Sequence, residues 1–180
     1  PGVNHVTVAE HTFGLLLSLT RLIPPQDAAV KKGEWKRMTG RELAGKTMGI
    51  LGLGRIGKEV AKRALAFEMK VAAFDLYWDE AFAKQYPVER KSTAEDVLSA
   101  SDVVSLHMNL TAENKDFINA SRIAGMKRGA YLLNCARGGL IHQGDVAAGL
   151  KAGHLGGYGA DVVEPEPVEK SNPLLSAPNV

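Results

Sequence analysis

The hydrophobic residues of this chain fall into short runs, and longer amphipathic segments separate them. Short apolar runs that end at Asp, Asn, His or Gly are typical of strands buried on both faces of a parallel sheet. The pattern predicts a weak strand near Val88 and five stronger ones, at 47–51, 70–74, 102–108, 130–133 and 156–160.

The segments between these strands predict helices. Residues 55–66 carry apolar side chains at helical spacing, and residues 143–152 form a similar segment that Gly153 ends. Another helix is predicted to open at Ser92-Thr93-Ala94-Glu95, because this order is typical of a capping box.

The first part of the chain has a different pattern. Residues 6–21 predict a largely buried helix that Pro24-Pro25 would end. Residues 26–45 predict a polar connection with one short helix, carrying Trp35.

Strands that alternate with helices predict an α/β fold, a Rossmann-type doubly wound parallel sheet with helices on both faces. The predicted division is 1–24 for a first helix at a domain or dimer boundary, 25–45 for a connection, 46–161 for a dinucleotide-binding domain and 162–180 for a proline-rich return segment. Prolines in the last segment would interrupt any regular element. Because the chain starts at proline and its last residues resemble the start of a strand, we expect it to belong to a longer protein.

A glycine-rich turn carries the first indication of chemistry. Gly52, Gly54 and Gly57 form G-x-G-x-x-G between a predicted strand and a predicted helix, and Asp75 ends the next strand. Such a turn brings backbone N–H groups against a pyrophosphate, and the acid accepts hydrogen bonds from the ribose. We therefore predict a dinucleotide site. NAD is expected to bind more tightly than NADP, because Asp75 would repel a 2′-phosphate and Leu76-Tyr77-Trp78 offers no arginine.

Other polar side chains also stand at predicted strand ends. His107, Asn134 and Asp161 share this position with Asp75. Ligands of doubly wound sheets bind beyond the carboxyl ends of the strands, so these residues predict a single crevice.

Charge and composition exclude several function classes. The net charge is +2 and no basic run exceeds two residues, so no nucleic acid or anionic membrane surface is expected as a partner. The apolar stretch at 14–19 is too short to span a bilayer. The single cysteine, Cys135, cannot form an internal disulfide and has no metal-ligand spacing around it, which favours a reducing, cytoplasmic setting without a metal site.

Six ordered segments resemble one family, and together they cover essentially the whole chain. They are V-A-E at 8–10, G-L-G-R-I-G at 52–57, Asp75, S-L-H-M-N-L-T at 105–111, N-C-A-R-G-G at 134–139 and D-V-V-E-P-E-P at 161–167. This order is similar to the nucleotide-binding domain of the D-isomer-specific 2-hydroxyacid dehydrogenases, the family that includes phosphoglycerate dehydrogenase.

The resemblance implies a role for each matching position. Arg55 and Ile56 correspond to backbone donors to the pyrophosphate, and Asp75 to the ribose-binding acid. His107, Met108, Asn109 and Thr111 correspond to the stretch lining the adenosine side. Cys135, Ala136 and Arg137 correspond to the strip under the nicotinamide, and Asp161 to the acid near its ring. Asn109 departs from the family pattern, which has proline there.

The resemblance also implies the catalytic residues. Arg137 corresponds to the catalytic arginine and Glu166 to the acid that pairs with the catalytic histidine, although Glu164 lies only two residues away. The histidine itself belongs to a Thr-Pro-His segment expected after Val180, and most of the substrate domain is also expected outside this chain. The chain alone should therefore turn over poorly.

The leading interpretation is an oxidoreductase that transfers a hydride between NAD and a small 2-hydroxy or 2-oxo acid, acting on CH–OH groups as a homodimer paired through the first helix. The alternative is a nucleotide-sensing scaffold or corepressor of the same fold. A formate-oxidising relative is disfavoured, since that branch has glutamine in place of Glu166. The residues present do not separate phosphoglycerate, glyoxylate, hydroxypyruvate and lactate as substrates.

Overall fold

The computed structural model describes residues 3–180 and contains one six-stranded parallel sheet. The strands are β1 (Thr47–Leu51), β2 (Lys70–Phe74), β3 (Val88–Arg90), β4 (Val103–Leu106), β5 (Ala130–Asn134) and β6 (Leu155–Ala160). Their order in the sheet is β3-β2-β1-β4-β5-β6, which is the strand order of a dinucleotide-binding fold. The predicted fold class is confirmed.

Within residues 3–180, seven helices accompany the sheet. They are α1 (His5–Thr20), α2 (Ile23–Lys31), α3 (Arg55–Ala66), α4 (Glu80–Gln85), α5 (Ala94–Ala100), α6 (Ala120–Gly125) and α7 (Gln143–Lys151). Short 3₁₀ turns occur at Gly138–Leu140 and Pro173–Ser176.

Two hydrophobic clusters cover the two faces of the sheet. One packs α1 and α3 on the sheet, with Phe13, Ile50 and Val60 in its centre. The other packs α5, α6 and α7, with Leu51 and Leu132 in its centre. Ile50 and Leu51 point to opposite faces because successive strand residues alternate, and both are fully buried. Apolar burial on both faces therefore holds the sheet in place.

The elements that position the glycine turn begin and end as predicted. Strands β1 and β2 and helix α3 have the predicted bounds, and β5 and β6 each gain one residue. The predicted strand at 102–108 is shorter, since only Val103–Leu106 pairs with its neighbours.

Several local predictions were wrong. Pro24 and Pro25 do not end the first helix, because α1 already ends at Thr20, Leu22 has a φ of 57° and the two prolines lie in the first turn of α2. Proline is tolerated there because its missing N–H has no helical acceptor. Trp35 lies beyond the short helix and is 86% exposed.

The predicted capping box is displaced by one residue. Thr93 and Asp96 cap α5 reciprocally, rather than Ser92 and Glu95. Helices α4 and α6 were not predicted, because each has only six residues and too little apolar periodicity. The return segment contains a regular turn after all, since Pro173–Ser176 is 3₁₀ and buries Leu174 against α7.

Among residues 3–180, no single helix meets the length and hydropathy criterion for crossing a membrane. Helices α1 and α2 meet it only when taken together, and they are bent by 61° at the break between them.

Candidate functional site

The strand register aligns the candidate residues in a single row. Leu51 pairs with both Phe74 and Leu106, Leu106 pairs with Asn134, and Asn134 pairs with Ala160. The residues that follow these positions are Gly52, Asp75, His107, Cys135 and Asp161. We call this row and the loops around it the carboxyl edge. The predicted clustering of strand ends is confirmed, and β1 and β4 form the centre of the row, where the winding direction of the sheet changes.

The three glycines of the turn meet three different constraints. Gly52 has a φ of 97°, and a Cβ there would lie 2.7 Å from the carbonyl of His107. A Cβ on Gly57 would lie 2.1 Å from the carbonyl oxygen of Gly52, so glycine lets α3 pack closely against β1. Gly54 has no atom within 4 Å of its Cβ position. The open space at Gly54 is where a ligand could approach the backbone.

The N-terminus of α3 lacks a side-chain cap. Gly54 is its N-cap residue and no side chain accepts from its first turn, which contains no acidic residue. By contrast, side chains cap the four helices that follow, namely Asp79, Thr93, Asn119 and His142. The free N–H groups of Arg55 and Ile56 therefore face the open space at Gly54, where a bound anion would accept their hydrogen bonds.

Asp75 has a role that its sequence position does not reveal. One carboxylate oxygen accepts from the backbone N–H of Leu53 at 2.5 Å and the other from that of Tyr77 at 2.7 Å. Asp75 thus fastens the glycine turn to the end of β2. Each oxygen retains a second lone pair for a ribose hydroxyl.

The loop after Asp75 is also held at its other end. Lys58, in the first turns of α3, forms an ion pair with Asp79, which caps α4 by accepting from Phe82. The hydrogen bond from Lys58 holds the pKa of Asp79 below its usual range. The segment from Asp75 to Asp79 is therefore fixed to the glycine turn and to α3 together.

His107 is a half-buried neutral base rather than an exposed proton carrier. Its Nε2 lies 2.8 Å from the hydroxyl of Ser105, and its Nδ1 is buried without a partner among the described residues. Burial lowers the pKa of His107 to about 4. At neutral pH the ring is uncharged, and the backbone carbonyl of His107 packs against Gly52 of the glycine turn.

The residues after His107 form an ordered loop. Met108 packs on the core, whereas Asn109 and Thr111 are exposed. Asn114 fixes this loop, since its amide donates to the carbonyl of Asn109 at 2.8 Å and accepts from the N–H of Thr111 at 2.7 Å. Hydrogen bonds with Asn114 thus hold this loop at the position where the family pattern has proline.

Asn134 determines the backbone around Arg137. Its side chain is fully buried, accepts from the N–H of Ala136 at 3.1 Å and donates to the carbonyl of Arg137 at 2.9 Å. The guanidinium of Arg137 is exposed and donates only to the carbonyl of Ala136, at 2.6 Å. The arginine fork is therefore presented to the crevice from a fixed backbone.

Cys135 lies between these two residues and is not a nucleophile. Burial raises the pKa of the Cys135 thiol to about 11, so the thiolate is scarce at neutral pH. Among residues 3–180, no group of three or more His, Cys, Asp or Glu side chains is arranged to hold a metal ion.

The loop from Asp161 onward closes the same edge. Asp161 lies 3.9 Å from His11 of α1, and both side chains are partly exposed. A Cβ on Gly138 would lie 2.3 Å from the carbonyl carbon of Val163, so this loop packs directly on the turn after Arg137.

The two candidate acids of this loop have different surroundings. The carboxylate of Glu164 lies against Gly139, where a Cβ would be 2.7 Å from its Oε2. The carboxylate of Glu166 accepts weakly from the N–H of Val163, at 3.4 Å, and is otherwise exposed. Both acids are exposed beside the turn that follows Arg137.

Two functional features were missed at the sequence level: the bond from Leu53 to Asp75 and the fastening of Arg137 by Asn134. Asn134 at a strand end was a visible signal, but its partners two and three residues later were not predicted. The bond between Leu53 and Asp75 joins residues from adjacent strands and becomes visible only once β1 and β2 are paired.

Comparison with known proteins agrees with this geometry. The family "D-isomer specific 2-hydroxyacid dehydrogenase, NAD binding domain" matches residues 13–180. The D-3-phosphoglycerate dehydrogenase of Bacillus subtilis is 44% identical over 182 aligned residues, which cover 100% of this chain and 34% of that protein.

Solved structures show the same relationship. The TT0316 protein of Thermus thermophilus is 40% identical with a TM-score of 0.90, over 99% of this chain and 57% of that one. The D-lactate dehydrogenase of Aquifex aeolicus, solved with NAD and lactic acid, is 37% identical with a TM-score of 0.82. The match covers 88% of this chain and 48% of that one. The chain spans about a third of the length of the first curated relatives that it matches. It belongs to the D-isomer-specific 2-hydroxyacid dehydrogenase family and forms the NAD-binding domain of that family.

Proposed function

We propose that this chain holds NAD along its carboxyl edge and supplies two residues to the interconversion of a small 2-hydroxy acid and its 2-oxo acid. The observation that carries the proposal is the register of the sheet, which aligns the glycine turn, Asp75 and the strand preceding Arg137. Because the chain spans only part of its relatives, the catalytic activity is assigned to the longer protein.

The binding of NAD would use every part of this edge. The free amides of Arg55 and Ile56 hold the diphosphate, and Asp75 accepts from the ribose. Gly52, Gly54 and Gly57 give the backbone its close approach. The remaining contacts are assigned to His107, Met108, Asn109 and Thr111 on the adenosine side, Cys135, Ala136 and Arg137 under the nicotinamide, and Asp161 at its carboxamide.

Arg137 would bind and orient the substrate. Its planar guanidinium can grip a carboxylate through two hydrogen bonds, and its charge polarises the adjacent C2 carbonyl. Since Asn134 fixes the backbone of Arg137, the side chain can hold C2 facing the nicotinamide. When bound, NAD accepts or supplies the hydride.

Glu166 would act through a histidine. A carboxylate beside an imidazole stabilises the imidazolium and raises its pKa, which suits proton exchange with the C2 oxygen near neutral pH. The histidine is the one that the family pattern places after Val180. The exposed carboxylate of Glu166 is free to meet it.

Substitution of Arg137 tests the catalytic part of the proposal. In the longer protein, Arg137→Ala should lower kcat/KM by about 10²–10³-fold, since a charged group that orients the reacting atoms is lost. Arg137→Lys keeps the charge without the planar fork and should recover only part of the rate. The Kd for NAD, measured by titration calorimetry, should change much less than kcat/KM in both variants, because Arg137 is only one of many residues assigned to the cofactor. A kcat/KM within a few-fold of wild type for Arg137→Ala would reject the proposed role.

We also propose a cytoplasmic homodimer whose substrate is a small hydroxy or oxo acid. The buried neutral thiol of Cys135 and the exposed apolar residues near the N-terminus support this setting. Peptide binding by the longer protein without turnover of any 2-oxo acid would instead support the scaffold alternative.

A further inference from the structure

A cavity lies at the opposite end of the sheet from the carboxyl edge. Its volume is about 510 Å³, and its walls are residues that immediately precede β1, β4 and β5, among them Lys46, Asp102 and Gly129. Because all the strands are parallel, this amino edge is separated from the NAD crevice by the length of a strand, about 15 Å. The cavity has no part in the proposed function.

Basic side chains dominate the rim of this cavity. Four cations, Arg41, Lys46, Lys127 and Arg128, face two acids, Glu42 and Asp102.

Asp102 is already compensated within the fold. One of its oxygens accepts from the N–H of Thr47 at 2.9 Å, and the other lies 3.3 Å from the ammonium of Lys127. This pair therefore contributes no net charge to the cavity.

The other rim charges leave a positive excess. Within residues 3–180, the side chains of Lys46, Arg128 and Glu42 take part in no hydrogen bond or ion pair. Arg41, Lys46 and Arg128 thus oppose the single carboxylate of Glu42, which leaves two uncompensated positive charges.

Arg41 is held in place before any ligand arrives. Its Nη1 donates to the carbonyl of Gly129 at 3.1 Å, and its guanidinium lies 5.7 Å from the centre of the Tyr131 ring. The missing side chain of Gly129 makes room for it, since a Cβ there would be 3.0 Å from Nη1. The other guanidinium N–H groups remain available, and their fixed orientation lowers the entropy cost of binding an anion.

We propose that this amino-edge cavity binds a small organic dianion, of the class of phosphorylated or dicarboxylic metabolites. Two uncompensated charges match a dianion, and the volume lies within the range of small-molecule sites. Leu43, Val103 and Ala130 provide an apolar surface for a short carbon skeleton. The site is distinct from the crevice in position and in the residues that form it.

Amide NMR titration of the 180-residue chain tests the proposal because it locates the ligand. Glycerol 3-phosphate and malonate are the probes, so that the phosphorylated and dicarboxylic classes are distinguished. At least one of them should shift the signals of residues 41–46 and 127–131 in a saturable manner, with little change at Gly54 to Gly57.

Three variants separate specific binding from general attraction to a basic surface. Arg41→Met and Arg128→Met should each weaken probe binding about fivefold or more. Arg128→Met keeps the proposal testable if Arg41→Met unfolds, since Arg128 has no structural bond to lose. Lys151→Met is the control, because this exposed lysine ends α7 at the same edge outside the cavity.

The control variant should bind the probe as tightly as wild type. The proposal is overturned if neither probe produces saturable shifts at the cavity, if the shifts lie only at the glycine turn, or if Lys151→Met weakens binding as much as Arg128→Met does.

Discussion

At the scale of single residues, side chains assigned to the candidate site also hold its backbone. Asp75 accepts from Leu53 and Tyr77 while it faces the expected ribose position. Asn134 holds the turn that presents Arg137. Recognition and local structure are thus coupled through the same atoms, so a substitution chosen to alter specificity also alters the shape of the site.

Asp75 is expected to determine the cofactor preference and the order of the glycine turn together. Wild type should bind NAD more tightly than NADP, since the carboxylate repels a 2′-phosphate. Asp75→Ser should weaken NAD binding about 10–100-fold, because charged hydrogen bonds are lost. The same substitution should not yield tight NADP binding, because the glycine turn loses its hydrogen bond to the end of β2. Calorimetric titration with both cofactors measures this. Equal Kd values for NAD and NADP in wild type would contradict the prediction.

His107 should make the fold less stable in acid. Its pKa is about 4 in the folded chain and 6.5 in the unfolded reference, so the unfolded chain binds the proton first. The contribution of the neutral ring is fully present above pH 6.5 and is lost as pH falls towards 4, by at most about 3 kcal/mol.

Urea unfolding at pH 7.5, 6 and 5 would measure this loss. His107→Gln removes the titrating group, so its free energy of unfolding should fall less between pH 7.5 and 5 than that of wild type. Parallel pH profiles for the two proteins would show that His107 is not responsible.

At the scale of elements, the N-terminus of α3 lacks a side-chain cap, as α1 and α2 also do, and it lies directly at the glycine turn. Helices α4 to α7 have side-chain caps, whereas α3 begins at a bare glycine beside open space. The lack of a side-chain cap costs α3 little stability, because glycine is itself a tolerated N-cap. The ligand would then supply the missing acceptors.

Gly54 and Gly57 form a matched pair for testing this interpretation. Gly54→Ala meets no neighbouring atom and should leave the melting temperature almost unchanged, but its methyl group would occupy the space of the diphosphate and weaken NAD binding at least about tenfold. Gly57→Ala places a methyl group 2.1 Å from the carbonyl oxygen of Gly52 and should destabilise the fold by about 1–3 kcal/mol. Thermal unfolding and NAD titration of both variants would distinguish the two roles. Unchanged NAD affinity in Gly54→Ala would refute the assigned position of the diphosphate.

At the scale of the whole molecule, the first helices belong partly to the core and partly to the surface. Phe13 and Leu16 of α1 are buried against α3 and the sheet. Exposed large hydrophobic residues nevertheless concentrate in the same part of the chain, namely Val3, Val6, Ile23, Val30 and Trp35. An apolar surface of this kind favours association with another protein chain.

Association through this surface should double the mass in solution. Light scattering is expected to give twice the chain mass of 19.3 kDa. The substitution Trp35→Ser should shift the distribution towards monomer. Because Trp35 is 86% exposed, this substitution removes little from the core. Tyr77→Ser is the control, because Tyr77 is 88% exposed in the loop after β2. A monomer at high concentration would contradict the homodimer.

Predictability from the sequence followed the strength of the local signal. Strands β1 and β2 and helix α3 were predicted with their observed bounds, because each has a clear apolar pattern and the glycine turn or Asp75 marks one of its ends. The α2 start at Ile23, the cap at Thr93 and the 3₁₀ turn at Pro173–Ser176 were missed, because proline and capping signals fit more than one local structure. The assigned roles of Arg137 and Glu166 rest on the family pattern.

The sequence by itself determined the fold class, the family and the position of the glycine turn, because apolar period and glycine spacing are local properties of the chain. Only the tertiary structure decided which polar groups meet: that Asp75 fastens Leu53, that the backbone carbonyl of His107 packs against Gly52, and that Arg41 donates to the carbonyl of Gly129 at the amino edge. These contacts join residues far apart in sequence, and they depend on the strand register, which fixes the neighbours of each strand end.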